Sequence, residues 1–216
     1  MLEFDDDINW REKRIAGVKK AYKIPKKGGI AIDIGANIGA FSIVNHNKFD
    51  KIISFEPSQN TYDTCVKNTK EYGNVDVYRY AVDKESDGIA KLCGFINGNV
   101  SGNASTMVAD CYDLNNYEEV PTISLERIFK MLNIPKIDYL KIDCEGGEYD
   151  FLMNKDLNNI NYIGIEIHIH LGEEKMNELI THIEKTHSKY STHGNGKTSH
   201  FEITYVNKKY NGKNLF

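Results

Sequence analysis

Short aliphatic runs alternate along this chain with segments of helical periodicity, and that alternation constrains the fold more than any other feature. Residues 30–34 (IAIDI), 51–55 (KIISF), 75–80 (VDVYRY), 137–142 (IDYLKI) and 162–168 (YIGIEIH) read as strands. Residues 8–22, 38–47, 58–72, 125–132, 148–153 and 173–185 read as helices. Strands separated by helices of this length form βαβ units, hence a mostly parallel sheet, wound right-handedly, with helices on both faces. The final stretch, KYSTHGNGKTSHFEITYV, is two β-runs around a Gly-Asn-Gly turn and predicts an antiparallel hairpin.

The chain has 216 residues, 40% of them hydrophobic, enough for one sizeable core. Residues 1–27 are expected to form an N-terminal helical extension and 28–216 a single domain. Residues 81–121 interrupt the alternation; GNVSGNAS reads as a loop beside an extra strand near 89–95, and the whole insertion as a substrate lid. A net charge of −4 supplies no basic field for nucleic acid. No run approaches the ~18 apolar residues of a membrane span. The four cysteines form no CxxC pair and predict neither a zinc site nor a disulfide framework. A reduced, cytoplasmic protein is the expectation.

The turn after the first strand, AIDIGANIGAFSI, lies where open α/β sheets hold their ligands, beyond the strand carboxyl ends. It fails the dinucleotide pattern GxGxxG, because Asn37 stands where a glycine must let backbone approach a pyrophosphate. Glu56, at 56 − 35 = 21 residues beyond Gly35, can accept both hydroxyls of a ribose. Asp33 offers a negative group for a ligand amino group. A nucleoside with an amino acid end and no phosphate is S-adenosyl-L-methionine.

The motifs IDIGANIGAFSI, SFEPS, YAVDKESDG, VPTISLERIF and LKIDCEGGEYDFL, in this order, resemble the FkbM-type methyltransferases. That resemblance implies a Rossmann-like class I methyltransferase fold. It also implies use of S-adenosyl-L-methionine with S-adenosyl-L-homocysteine as product, and O-methylation of a sugar, glycan or small metabolite. Asp33, Gly35, Ala36, Asn37 and Gly39 would cradle the methionine part. Glu56 would hold the ribose, with Pro57 and Ser58 shaping that wall, and Ala81 and Val82 would edge the adenine. Asp143 would face the donor methyl region. Two positions depart from the family pattern: Cys144 replaces an aliphatic residue, and Glu126 an aspartate.

An acceptor hydroxyl must lose a proton, and Asp143, Glu145 and His168 are the catalytic candidates, with Glu148 and Glu166 nearby in sequence. Glu166, His168 and His170 alternate, so along an ideal strand they share one face. His168 is the first choice for base because imidazole titrates near neutrality. The spacing matches no metal-ligand signature, so no metal residues are assigned and a divalent ion is not favoured. His182, His187, His193 and His200 read as surface or hairpin residues. Methylation of RNA or protein, and a catalytically silent binding module, are the alternatives; the acidic balance disfavours RNA.

Overall fold

A computed structural model describes residues 8–24, 28–96, 99–105, 117–194 and 200–210. The chain opens with α1 (Ile8–Ala21), β1 (Ile30–Ile34), α2 (Ala40–Asn45), β2 (Lys51–Phe55), α3 (Gln59–Thr69) and β3 (Val75–Tyr78). The former insertion contributes β4 (Ala81–Val82), β5 (Ile89–Ile96), β6 (Asn99–Ser105) and β7 (Glu118–Ile123). Alternation then resumes with α4 (Leu125–Leu132), β8 (Ile137–Ile142), α5 (Glu148–Leu152), β9 (Ile160–His168) and α6 (Glu173–Glu184). The hairpin β10 (His187–His193) and β11 (His200–Asn207) ends the fold.

The main sheet has the order β10-β11-β9-β8-β1-β2-β3. Its central pairs are parallel, while β11 is antiparallel to both β9 and β10. The chain winds outward from β1 through β2 to β3, then returns on the other side of β1 as β8. The β1/β8 boundary is therefore the switch point at which such sheets open a crevice.

Period-two alternation splits each central strand between two cores. Ile32, Ile34, Leu140, Ile142, Ile163 and Ile165 face one side, where α4, α5 and α6 supply Ile128, Phe151, Leu179 and Ile183. Ala31, Ile52, Tyr139 and Tyr162 face the other, against Ala21 and Tyr22 at the end of α1 and Phe41 of α2. The helix predicted in the N-terminal extension thus packs directly on the sheet. Phe41 stacks on Tyr139 with ring centroids 5.9 Å apart, and Tyr139 on Tyr162 at 6.4 Å. Gly164 leaves room for this column: a Cβ there would stand 2.2 Å from the Tyr139 hydroxyl oxygen.

Three expectations change. Residues 99–105 are a strand, not a loop, because antiparallel pairing with β5 satisfies their backbone hydrogen-bonding groups. With β4, β5 and β7 they form a second sheet of order β4-β7-β5-β6. The helix expected over 38–47 is only Ala40–Asn45, since left-handed φ values at Gly35, Asn37 and Gly39 (68°, 52° and 86°) delay its start. Cys93 is disulfide-bonded, whereas Cys65 and Cys144 are free thiols, so the wholly reduced chain does not hold. Among the described residues, no helix is long and apolar enough to cross a membrane.

Candidate functional site

Strand register assembles the site from residues far apart in sequence. Asp33 of β1 lies opposite Ser54 of β2 and Lys141 of β8, and Lys141 lies opposite Gly164 of β9. Across the antiparallel seam, Glu166 faces Glu202 and His168 faces His200. Directly opposed residues share a face. One face of the sheet therefore changes from aromatic at its base to charged at its carboxyl edge.

At the switch point Lys141, only 4% exposed, reaches under the first turn. Its Nζ donates to the carbonyls of Ile34 (3.0 Å) and Gly35 (2.7 Å) and stands 3.0 Å from Asp33 Oδ1 and 3.7 Å from Asp143 Oδ2. Burial opposes the Lys141 charge, but Asp33 and Asp143 outweigh it and hold the ammonium above its ordinary pKa. Burial likewise raises Asp33, with Lys141 pulling the other way. The resemblance carried by LKIDCEGGEYDFL implies no role for this lysine. The alternation signal was there: a lysine between buried Leu140 and Ile142 of a central strand requires a charge partner.

Gly35 is explained by this junction. Its φ is 68°, and a Cβ there would lie 1.7 Å from the carbonyl oxygen of Asp143. Backbone bonds from Gly35 and Ala36 to Phe55 O, both 3.0 Å, tie the turn to β2. A Cβ on Gly39 would meet Thr69 Cγ2 at 2.9 Å, so α3 also closes over the turn.

Glu56 follows β2 and is buried. Its Oε2 accepts the Asn37 N–H at 2.9 Å and its Oε1 the Ser58 N–H at 3.1 Å, across Pro57. Burial nevertheless pushes the carboxyl up to about 7. Each oxygen keeps a lone pair beyond its backbone bond. Ala81 and Val82 are also buried; Ala81 packs with Leu92 and Val120, and Val82 joins the main core. Their side chains are taken up in packing.

The second cluster centres on His168, 4% exposed at the end of β9. Its Nδ1 lies 2.9 Å from Glu148 Oε1 and its Nε2 3.1 Å from Glu145 Oε2 and 3.8 Å from Glu166 Oε1. Burial opposes charge on the ring, but the Glu145 and Glu148 bonds override it and raise the pKa to about 11. An imidazolium with a carboxylate on each nitrogen has no lone pair for a substrate proton. Glu148 is fully buried at the start of α5 and also accepts the N–H groups of Gly146 (2.8 Å) and His168 (3.1 Å). Glu145 adopts φ 50°, a left-handed conformation costly for a side-chain residue. Burial, then Asp143, raises Glu166 to about 8.

His170 lies past the end of β9, in the 3₁₀ turn Ile169–Leu171, and its ring stays beside His168 with centroids 5.2 Å apart. His200 joins the site as well: its Nδ1 is 3.1 Å from Glu166 Oε1. No local pattern marks it, since it lies 200 − 168 = 32 residues downstream and only the hairpin register brings it opposite His168. His187, read as a surface or hairpin residue, opens the hairpin strand β10 and is wholly buried. Glu126 pairs with Lys155 at 3.0 Å in the first turn of α4.

A seven-stranded sheet of this order, with acids at the ends of β1, β2 and β8, has the Rossmann-like methyltransferase fold. Similar solved structures include a Methanococcus jannaschii fibrillarin pre-rRNA processing protein (TM-score 0.55, 11% identity, 89% of this chain and 73% of that one). Aeropyrum pernix fibrillarin with natively bound S-adenosyl-L-methionine aligns with TM-score 0.53 at 12% identity, over 90% of this chain and 74% of that one. M. capricolum TrmK in complex with S-adenosyl-homocysteine gives 0.51 at 14% identity, over 91% and 69%. These likenesses concern the fold.

The chain belongs to the FkbM methyltransferase domain family, which matches residues 33–193. The hexuronic acid methyltransferase AglP of Haloferax volcanii is 24% identical over 179 residues, covering 80% of this chain and 71% of that protein.

Proposed function

We propose that this protein is an S-adenosyl-L-methionine-dependent O-methyltransferase whose acceptor is a hydroxyl or carboxyl oxygen of a sugar, glycan or small metabolite. The observation that carries the reading is the set of three carboxylates around the switch point. Glu56 presents two oxygens with spare lone pairs, the donor set for a vicinal ribose diol, and Asp33 and Asp143 flank the turn on the other side. When bound, the cofactor supplies a methyl group on a sulfonium. Asp33, Gly35, Ala36, Asn37 and Gly39 line its amino acid end in this reading, with Pro57, Ser58 and the backbone of Ala81 and Val82 around the nucleoside.

On the acceptor side, exposure separates the roles. Asp143 and Glu145 are 25% and 26% exposed, so their carboxylates can meet an incoming hydroxyl, whereas His168 is 4% exposed. His168 then acts as a positioning residue that orients Glu145, and the proton leaves to a carboxylate. Aligning acceptor and donor is worth ~7–11 kcal/mol, and a positioned base a further ~10²–10⁴-fold. The hexuronic acid activity of AglP supports a sugar acceptor.

The test is transfer of labelled methyl from S-adenosyl-L-methionine to uronic-acid glycans, neutral sugars, RNA and protein side by side. Label on a glycan is expected, and alkaline hydrolysis separates a labile methyl ester from a stable ether. Label on RNA or protein alone would overturn the acceptor class. Label on nothing, with the cofactor bound, would leave the silent-module reading standing.

A further inference from the structure

The geometry points to a divalent first-row transition-metal site formed by Glu166, His168 and His200, at the acceptor side of the crevice. The inference rests on the methyltransferase reading only for what the metal does, which is to hold two acceptor oxygens at its open positions.

The donor atoms are already gathered. One ligand atom from each of Glu166, His168 and His200 lies within 4.8 Å of the others, and a second group of Asp143, Glu145 and His168 shares the same imidazole. Metal–nitrogen and metal–oxygen bonds of ~2.1 Å require neighbouring ligand atoms ~3 Å apart and opposed ones ~4.2 Å apart. Glu166 Oε1 is 3.1 Å from His200 Nδ1 and 3.8 Å from His168 Nε2, inside that range.

An independent feature lies behind the cluster. Metal-binding histidines generally donate their other ring N–H to a carboxylate that fixes the tautomer and the ring plane. Glu148 does this for His168: its Oε1 is 2.9 Å from Nδ1, it is fully buried, and two backbone N–H groups hold it in place. That arrangement directs Nε2 toward Glu145 and Glu166. Nε2 is 3.1 Å from Glu145 Oε2, and metal binding at Nε2 would displace the ring N–H proton to solvent.

Two imidazoles and a carboxylate select among cations. Magnesium and calcium prefer oxygen-only shells, whereas Mn²⁺, Fe²⁺, Co²⁺ and Zn²⁺ accept mixed nitrogen and oxygen donors with positions left open. Asp143 and Glu145 stand beside the set as further oxygen donors. Beyond them, the partly exposed rim formed by Asp143, Glu145 and His200 is where an acceptor diol or hydroxy-carboxylate would chelate.

The experiment titrates Mn²⁺ into the full chain and follows free Mn²⁺ by electron paramagnetic resonance, with no cofactor or acceptor present. One tight site per chain is expected, weakened at least ~10-fold in both Glu166→Gln and His200→Ala, the range seen when metal shells are disturbed. S-adenosyl-L-homocysteine binding is measured on the same preparations. Unchanged cofactor binding in both variants shows that they fold and that the loss is local. No Mn²⁺ site in a wild-type protein that binds S-adenosyl-L-homocysteine overturns the metal and leaves the function reading intact. A Mn²⁺ site in a protein that does not bind it supports the metal and overturns the function reading. Tighter binding of Mg²⁺ than of Mn²⁺, or unaltered Mn²⁺ affinity in His200→Ala, overturns the imidazole ligation.

Discussion

His168 and Glu148 form a fully enclosed pair: Nδ1 sits 2.9 Å from Oε1, the histidine closing β9 and the glutamate opening α5. Because the pair joins two elements at the crevice floor, it carries both stability and site geometry. Removing one partner of a buried charge pair strands the other, at a cost of ~3 kcal/mol or more. Glu148→Gln is predicted to lose about that much in urea denaturation. Equal stability of variant and wild type would show that the pair is not ionised.

Lys141 predicts a coupling rather than a single loss. Its ammonium neutralises Asp33 while tethering the Ile34 and Gly35 carbonyls. Lys141→Met should destabilise by ~3–5 kcal/mol by leaving Asp33 uncompensated. Adding Asp33→Asn should recover part of that loss, giving a coupling of ~1 kcal/mol or more in the double-mutant cycle. Strict additivity would contradict the ion pair.

Gly35 admits no side chain. With φ at 68° and the Asp143 carbonyl oxygen 1.7 Å from an added Cβ, Gly35→Ala must separate β1 from β8 at the switch point. Loss of more than ~3 kcal/mol, with loss of cofactor binding, is expected. Gly172→Ala is the control for steric overlap: nothing lies within 4 Å of the added Cβ, so only the backbone penalty of its φ 84°, ψ 153° conformation applies, ~1–3 kcal/mol.

His187 sets an acid limit on stability. It is buried and neutral, with Nε2 3.0 Å from the Ile160 carbonyl and Nδ1 2.7 Å from the Thr186 hydroxyl. Burial lowers its pKa from 6.5 to about 4. The unfolded chain therefore takes up this proton first as pH falls, and stability drops between about 6.5 and 4, by ~3 kcal/mol at most. His187→Gln should flatten that limb in denaturation curves at pH 7 and 4.5; an unaltered limb would assign it to other groups.

Much of the scaffold is legible in the residues themselves. IAIDI, KIISF and IDYLKI are buried strands of the stated length because a central parallel strand has little choice but to be aliphatic. The turn proposed for the cofactor is assembled locally: Asp33, Gly35 and Glu56 sit within one βαβ unit, so their spacing alone brings them together. The acceptor side is not. NVSGNAS becomes β6 through pairing with β5, and His200 enters the site through antiparallel register with β9. Both depend on partners remote in the chain. The same holds for His168: the sequence shows an imidazole of ordinary pKa and not the Glu145 and Glu148 carboxylates that the fold brings against its two nitrogens.

The most direct test is a calorimetric titration with S-adenosyl-L-homocysteine at pH 8 and pH 6. Burial holds Glu56 near 7, while ribose hydroxyls favour its ionised form, so binding releases a proton at the lower pH. One site per chain is predicted, with affinity ~10-fold weaker at pH 6 than at pH 8. Glu56→Gln should bind more weakly and lose the pH dependence. Absence of binding at millimolar ligand, or a Glu56→Gln variant that binds as tightly as wild type with the same pH profile, would contradict the account.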